Sequence, residues 1–139
     1  SVEESSNGVV RISEGQDEGR HYLGWAGMPP MSGKEKTLSI DVWSATVPIL
    51  RFETLDGPDK YGRADVDLAL GTVTPVTGIR NAQVRDLGKG WKRITLEYPA
   101  SDNSFSLTVA MLSKEGNTDY RGSGRSIAAT RPVLAERKK

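Results

Sequence analysis

The chain has 139 residues, enough for one domain with a two-layer core, and its 36% hydrophobic and 27% charged residues are typical of a globular protein. Nineteen basic against eighteen acidic residues leave a formal charge of +1, which argues against a large phosphate-binding surface and against nucleic acid as the partner. Without cysteine there is no disulfide framework and no thiolate metal site, and no apolar run reaches membrane-spanning length.

In chain order, residues 1–7 are a polar, acidic lead-in. Residues 8–12 read as a short strand closed by a turn over 14–19, and residues 20–26 as a second strand carrying His21, Tyr22, Leu23 and Trp25. The Pro29-Pro30 pair then breaks any ladder, because proline donates no hydrogen bond. Residues 36–46 form the clearest strand: Leu38, Ile40 and Val42 alternate with Ser39, Asp41 and Trp43. Leu50 and Phe52 face inward in the next strand, with Arg51 and Glu53 outward. Turn residues fill 55–62, a strand over 64–70 ends at Gly71, and 73–76 and 79–84 supply two shorter pieces.

Gly88-Lys89-Gly90-Trp91 reads as a tight turn delivering the chain into a strand, in which Ile94, Leu96 and Tyr98 oppose Arg93, Thr95 and Glu97. Phe105, Leu107, Val109 and Met111 share one face of a strand over 104–112. A hairpin-type connection at 114–117 and a glycine break at 122–124 precede a final strand over 127–134 and a charged tail over 135–139. Roughly eight to ten short strands, spaced about 8–12 residues apart and without a helical period, predict an all-β protein. The expected architecture is a two-sheet antiparallel β-sandwich of jelly-roll type with little or no helix, a single domain over residues 8–134.

Three motifs in order carry a family resemblance: Asp67-Leu68-Ala69-Leu70-Gly71-Thr72-Val73, then Gly88-Lys89-Gly90-Trp91-Lys92-Arg93, then Tyr120-Arg121-Gly122-Ser123-Gly124. With the core strand Leu38-Ser39-Ile40-Asp41-Val42-Trp43, this succession resembles a jelly-roll module of bacteriophage virion proteins across residues 20–134. Such modules are similar to carbohydrate-binding domains and occur in tail fibres, tailspikes and head spikes. The resemblance implies a non-enzymatic domain on the virion surface, a homotrimer whose partners are host-surface polysaccharide and other virion proteins. It also allows a structural role in capsid decoration or fibre joining without glycan binding. Two departures stand out: the last strand, Ser126-Ile127-Ala128-Ala129-Thr130-Arg131-Pro132, lacks the family's aromatics, and Lys92 replaces a frequent tyrosine.

Sugar recognition needs a flat apolar face for C–H stacking beside polar groups that bond hydroxyls in pairs. Trp43 is the best platform candidate, with the alternative that it packs under a loop or against a sister subunit. If the neighbouring strands share its sheet, Asp41, Arg51, Glu53, Arg93 and Glu97 complete an aromatic-and-charged groove. Trp91 is expected to seal the end of the core. His21, Tyr22 and Trp25 are read as an edge packed against another chain.

His21 is the only histidine and has no nucleophile context, so a hydrolase built on it is not expected. A polysaccharide hydrolase or lyase using a carboxylate pair is the third reading, without a motif behind it. No cofactor or metal is expected. Asp56, Asp59, Asp65 and Asp67 could hold a structural calcium, but turn-forming aspartates explain Asp56 and Asp59 as well.

Overall fold

The computed structural model describes residues 2–4, 8–28, 34–44, 47–56, 61–101, 105–113 and 115–136. They form an all-β antiparallel sandwich with no helix among them. One sheet has seven strands: β1 (Val2–Glu4), β2 (Val10–Ser13), β13 (Ser126–Ala129), β5 (Lys34–Ser44), β10 (Trp91–Ser101) and β9 (Asn81–Gly88) in that order, with β14 (Val133–Glu136) also paired to β5. The other has five, in the order β4 (Tyr22–Met28), β11 (Phe105–Met111), β6 (Ile49–Asp56), β7 (Tyr61–Asp67) and β8 (Thr72–Thr77). A small ribbon pairs β3 (Glu18–Arg20) with β12 (Asp119–Arg121).

The period-two alternation decides what fills the space between the sheets. Leu38, Ile40 and Val42 of β5 and Ile94 and Leu96 of β10 meet Leu50 and Phe52 of β6 and Leu107 and Val109 of β11, all essentially buried. Tyr98 and Phe105 pack edge to face with centroids 4.9 Å apart. Burying each large apolar side chain is worth about 1.5–3 kcal/mol. The core also holds one charged pair: Lys36 Nζ on β5 donates to Asp56 Oδ2 on β6 at 3.0 Å, bridging the sheets. Asp56, read from sequence as a turn or calcium residue, is instead a buried counter-ion.

Several boundaries differ from those expected. The predicted strand over 127–134 is two strands laid end to end along β5, with Ala129 opposite Val42 and Val133 opposite Ser39. Between them Asp41 N bonds the Thr130 side-chain oxygen at 3.1 Å, and Thr130 N bonds Asp41 O at 2.9 Å. Pro132 has no donor to continue the ladder there. The sandwich was expected to span 8–134; the backbone pairs Val2–Glu4 with β2 and carries β14 to Glu136. The segment expected as a turn over 14–19 enters strand β3 at Glu18, and the glycine break over 122–124 directly follows β12.

Candidate functional site

The outward face of the seven-stranded sheet can be followed row by row from the strand register. In one row, Arg11 of β2, Ala128 of β13, Trp43 of β5 and Trp91 of β10 stand side by side. The next row holds Asp41, Arg93 and Arg85 of β9, and the one after it Val133, Ser39, Thr95 and Gln83. Thr37, Glu97 and Asn81 follow.

Both indoles are half-buried and belong to this face, not to the core. Trp91 therefore does not seal the sandwich as expected, because alternation places it with Arg93, opposite Ile94. Trp43 lies across the turn between β9 and β10: a Cβ added to Gly90 would stand 2.7 Å from its Nε1. That turn needs left-handed backbone at Gly88, Lys89 and Gly90, with φ of 86°, 56° and 84°. The Arg11 guanidinium sits 5.8 Å from the centroid of the Trp43 ring, within cation–π range. Ala128 is only 3% exposed in the row between them. Thus the alanine-rich β13, which lacks the aromatics that the resemblance leads one to expect, lies directly beside Trp43.

Below the indoles, Arg93 donates from Nε to Asp41 Oδ1 at 2.8 Å and from Nη2 to Oδ2 at 3.1 Å. This two-point bond raises the guanidinium pKa above its ordinary value and fixes the plane of the fork. Lys92, on the opposite face of β10, pairs with Asp86 at 3.1 Å.

The six residues expected to make one groove divide between the sheets. Trp43, Asp41, Arg93 and Glu97 share the face just described, whereas Arg51 and Glu53 lie outward on β6, in the five-stranded sheet. The expectation of a single groove is corrected here: β6 follows β5 in sequence but crosses to the other layer. There Arg51 holds Asp65 at 2.9 and 3.2 Å, and Glu53 accepts from Arg20 and from the Tyr61 hydroxyl at 2.7 Å each. The three residues read as an interface also separate. Tyr22 points outward beneath the Arg20 guanidinium, Trp25 packs against the core, and His21 Nε2 donates to the Tyr120 carbonyl at 3.0 Å.

The described carboxylates read as calcium ligands are engaged elsewhere. Asp56 bonds Lys36, Asp65 bonds Arg51, and Asp67 accepts from the Ala69 and Leu70 amides; Asp59 is outside the described residues. Among the described residues no three metal-ligating side chains converge.

Sequence reasoning missed a second polar cluster. The Glu14 side chain is fully buried and accepts from both Arg125 Nε and Nη2, the Ser123 and Arg125 amides and the Tyr120 hydroxyl. Burial alone would raise its pKa, but these donors outweigh it and hold the carboxyl at about 2. Tyr120 is pushed up to about 12 by burial and by its bond to Glu14. Arg125 Nη2 also donates to the Leu112 carbonyl at 2.8 Å. Every charge is answered within this cluster, which ties the ends of β2 and β13 to the ribbon. The spacing of more than 100 residues between Glu14 and its partners left no local signal.

Fold and face together describe an antiparallel β-sandwich with a paired-indole platform on one outer surface. No protein-family model matches the chain, and no curated protein sequence does. Among solved structures it is similar to a CBM4 carbohydrate-binding module, at 13% identity and a TM-score of 0.55, over 98% of this chain and 88% of that one. It is also similar to the N-terminal cellulose-binding domain of β-1,4-glucanase C from Cellulomonas fimi, at 12% identity and a TM-score of 0.56, over 99% and 84% of the two chains. At these identities the likeness is one of fold.

Proposed function

We propose that this chain is a non-enzymatic carbohydrate-binding domain that lays a polysaccharide across the outward face of its seven-stranded sheet. The observation that carries the reading is the Trp43–Trp91 register pair, displayed outward beside the rigid Arg93–Asp41 fork. Two adjacent indoles offer consecutive apolar faces for sugar C–H groups, while the fork and the Ser39, Thr95 and Gln83 side chains supply hydroxyl partners along the next rows. The similarity in fold to carbohydrate-binding modules adds support. Nothing in the face resembles a catalytic pair, since Asp41 is committed to Arg93.

Affinity electrophoresis through gels containing soluble polysaccharides tests the reading. Retardation abolished by Trp43→Ala and Trp91→Ala, with thermal melting still cooperative, is the expected result; retardation insensitive to both would overturn it.

For the setting, the sequence motifs support an exposed virion domain, a spike or fibre module that meets host-surface polysaccharide as a homotrimer. A second reading, a fibre-joining or decorating role, draws on the other sheet, where Leu55 and Tyr61 are register partners exposed by 48% and 43%. Light scattering of the purified chain and of Leu55→Ser, set beside the retardation assay, distinguishes the two: a trimer dissolved by that change, with no retardation by any polysaccharide, supports the joining role.

A further inference from the structure

The charges around the indoles are more specific than a generic sugar platform requires. Arg93 faces Asp41 on one side and Arg85 on the other, in direct register. Like charges opposite each other across an antiparallel pair repel. Asp41 answers Arg93; Arg85 is exposed and makes no ion pair among the described residues. Arg11, stacked on Trp43, likewise makes no ion pair with a described side chain, although Glu3 is its register partner on β1.

A further cation, Lys89, occupies the tip of the turn beside Gly90 with φ 56°, a left-handed position where asparagine or glycine is the usual choice. Four cations, Arg11, Arg85, Arg93 and Lys89, thus lie in or next to the rows of the two indoles, against Asp41 and Glu3 in those rows and Glu97 two rows beyond Asp41. General basicity does not explain this, because the whole chain carries only +1. The five-stranded face shows the contrast: Arg51 and Arg63 there, and Arg20 reaching it from the ribbon, all meet carboxylates.

Resting on the reading of this face as a polysaccharide site, we propose that its ligand is an acidic polysaccharide, with carboxylate or sulfate groups recurring along the chain. Guanidinium forks match carboxylate and sulfate oxygens two to two, and the indoles take the apolar faces of the same residues. Arg85 and Arg11 are the specificity-determining groups; Trp43 and Trp91 supply affinity for any sugar. An anion seated beside Arg85 would answer its charge as Asp41 answers that of Arg93.

The test uses matched polymers in affinity electrophoresis: polygalacturonate against its methyl ester, and chondroitin sulfate against unsulfated chondroitin. The methyl ester masks the carboxylate, and the second pair isolates the sulfate. The expected result is at least tenfold tighter binding to one charged member than to its matched polymer, falling about tenfold in Arg85→Gln and weakening as salt rises from 0.05 to 0.5 M, roughly the range over which surface charges become screened. Trp43→Ala is expected to weaken binding to all members by roughly thirtyfold. Equal binding of the charged and neutral members of each pair, lost in Trp43→Ala but unchanged in Arg85→Gln, would overturn the acidic ligand and leave the platform standing. No retardation by any polymer would sink both. Tighter binding of single-stranded DNA than of either charged polysaccharide, through the same residues, would reassign the face to nucleic acid.

Discussion

The two outer faces of the sandwich are built from the same ingredients and end in different chemical states. On the five-stranded sheet the arginines are closed into ion pairs, Arg51 and Arg63 both with Asp65, and Glu53 is taken by Arg20 of the ribbon and by the Tyr61 hydroxyl. On the seven-stranded sheet one arginine is paired, Arg85 is not, and two indoles stand beside them. A satisfied face has little left to offer a ligand, whereas unanswered charge next to flat apolar surface is held ready for one. The same alternation of residues makes both; the difference lies in which neighbours the strands acquire.

The largest expected effect comes from loosening the frame that holds both faces. Glu14→Gln removes a buried carboxylate from Arg125 and is expected to cost about 3 kcal/mol of stability, read as a lower denaturation midpoint, while the folded fraction still binds. The sign of the matching pH effect follows from the lowered pKa. Glu14 stabilises the fold above its unfolded value near 4.5, and that stabilisation drains away as pH falls towards about 2. Acid unfolding of the wild type between those values should be flattened in Glu14→Gln; identical acid profiles would contradict the assignment.

Next in size, Trp43→Ala should weaken polysaccharide binding by about 2 kcal/mol, roughly thirtyfold, measured by affinity electrophoresis. Arg51→Ala, on the other face, should leave that binding unchanged. If both variants lose affinity equally, the distinction between the faces fails. Gly90→Ala comes third. Its φ of 84° and the added Cβ against the Trp43 indole should cost about 1–2 kcal/mol of stability and shift tryptophan fluorescence as the ring moves. The smallest effect is on the closed face: Arg51→Ala should lower stability by about 1 kcal/mol or less, because its pair with Asp65 is partly exposed.

The strand alternation made much of this readable in advance. Leu38, Ile40 and Val42 are inward and Trp43 and Asp41 outward, as the pattern requires. Trp91 was equally legible: one step back from Arg93 by twos reaches it, and only the habit of assigning tryptophan to cores obscured its face. Arg85 and Arg11 were not legible as site residues, since each is an exposed arginine with no chemistry of its own until its neighbours are known.

What the sequence determined by itself was the all-β class and, strand by strand, which side chains look in and which look out. That is local information, because successive side chains along a strand alternate whatever lies beside it. Which strands became neighbours was decided only by the tertiary structure. β10 joined β5 across about fifty residues of chain while β6, next in sequence, crossed to the other layer, so Arg93 met Asp41 and Arg51 met Asp65. Long-range pairing is selected by how whole apolar faces fit together, and no single strand carries that choice.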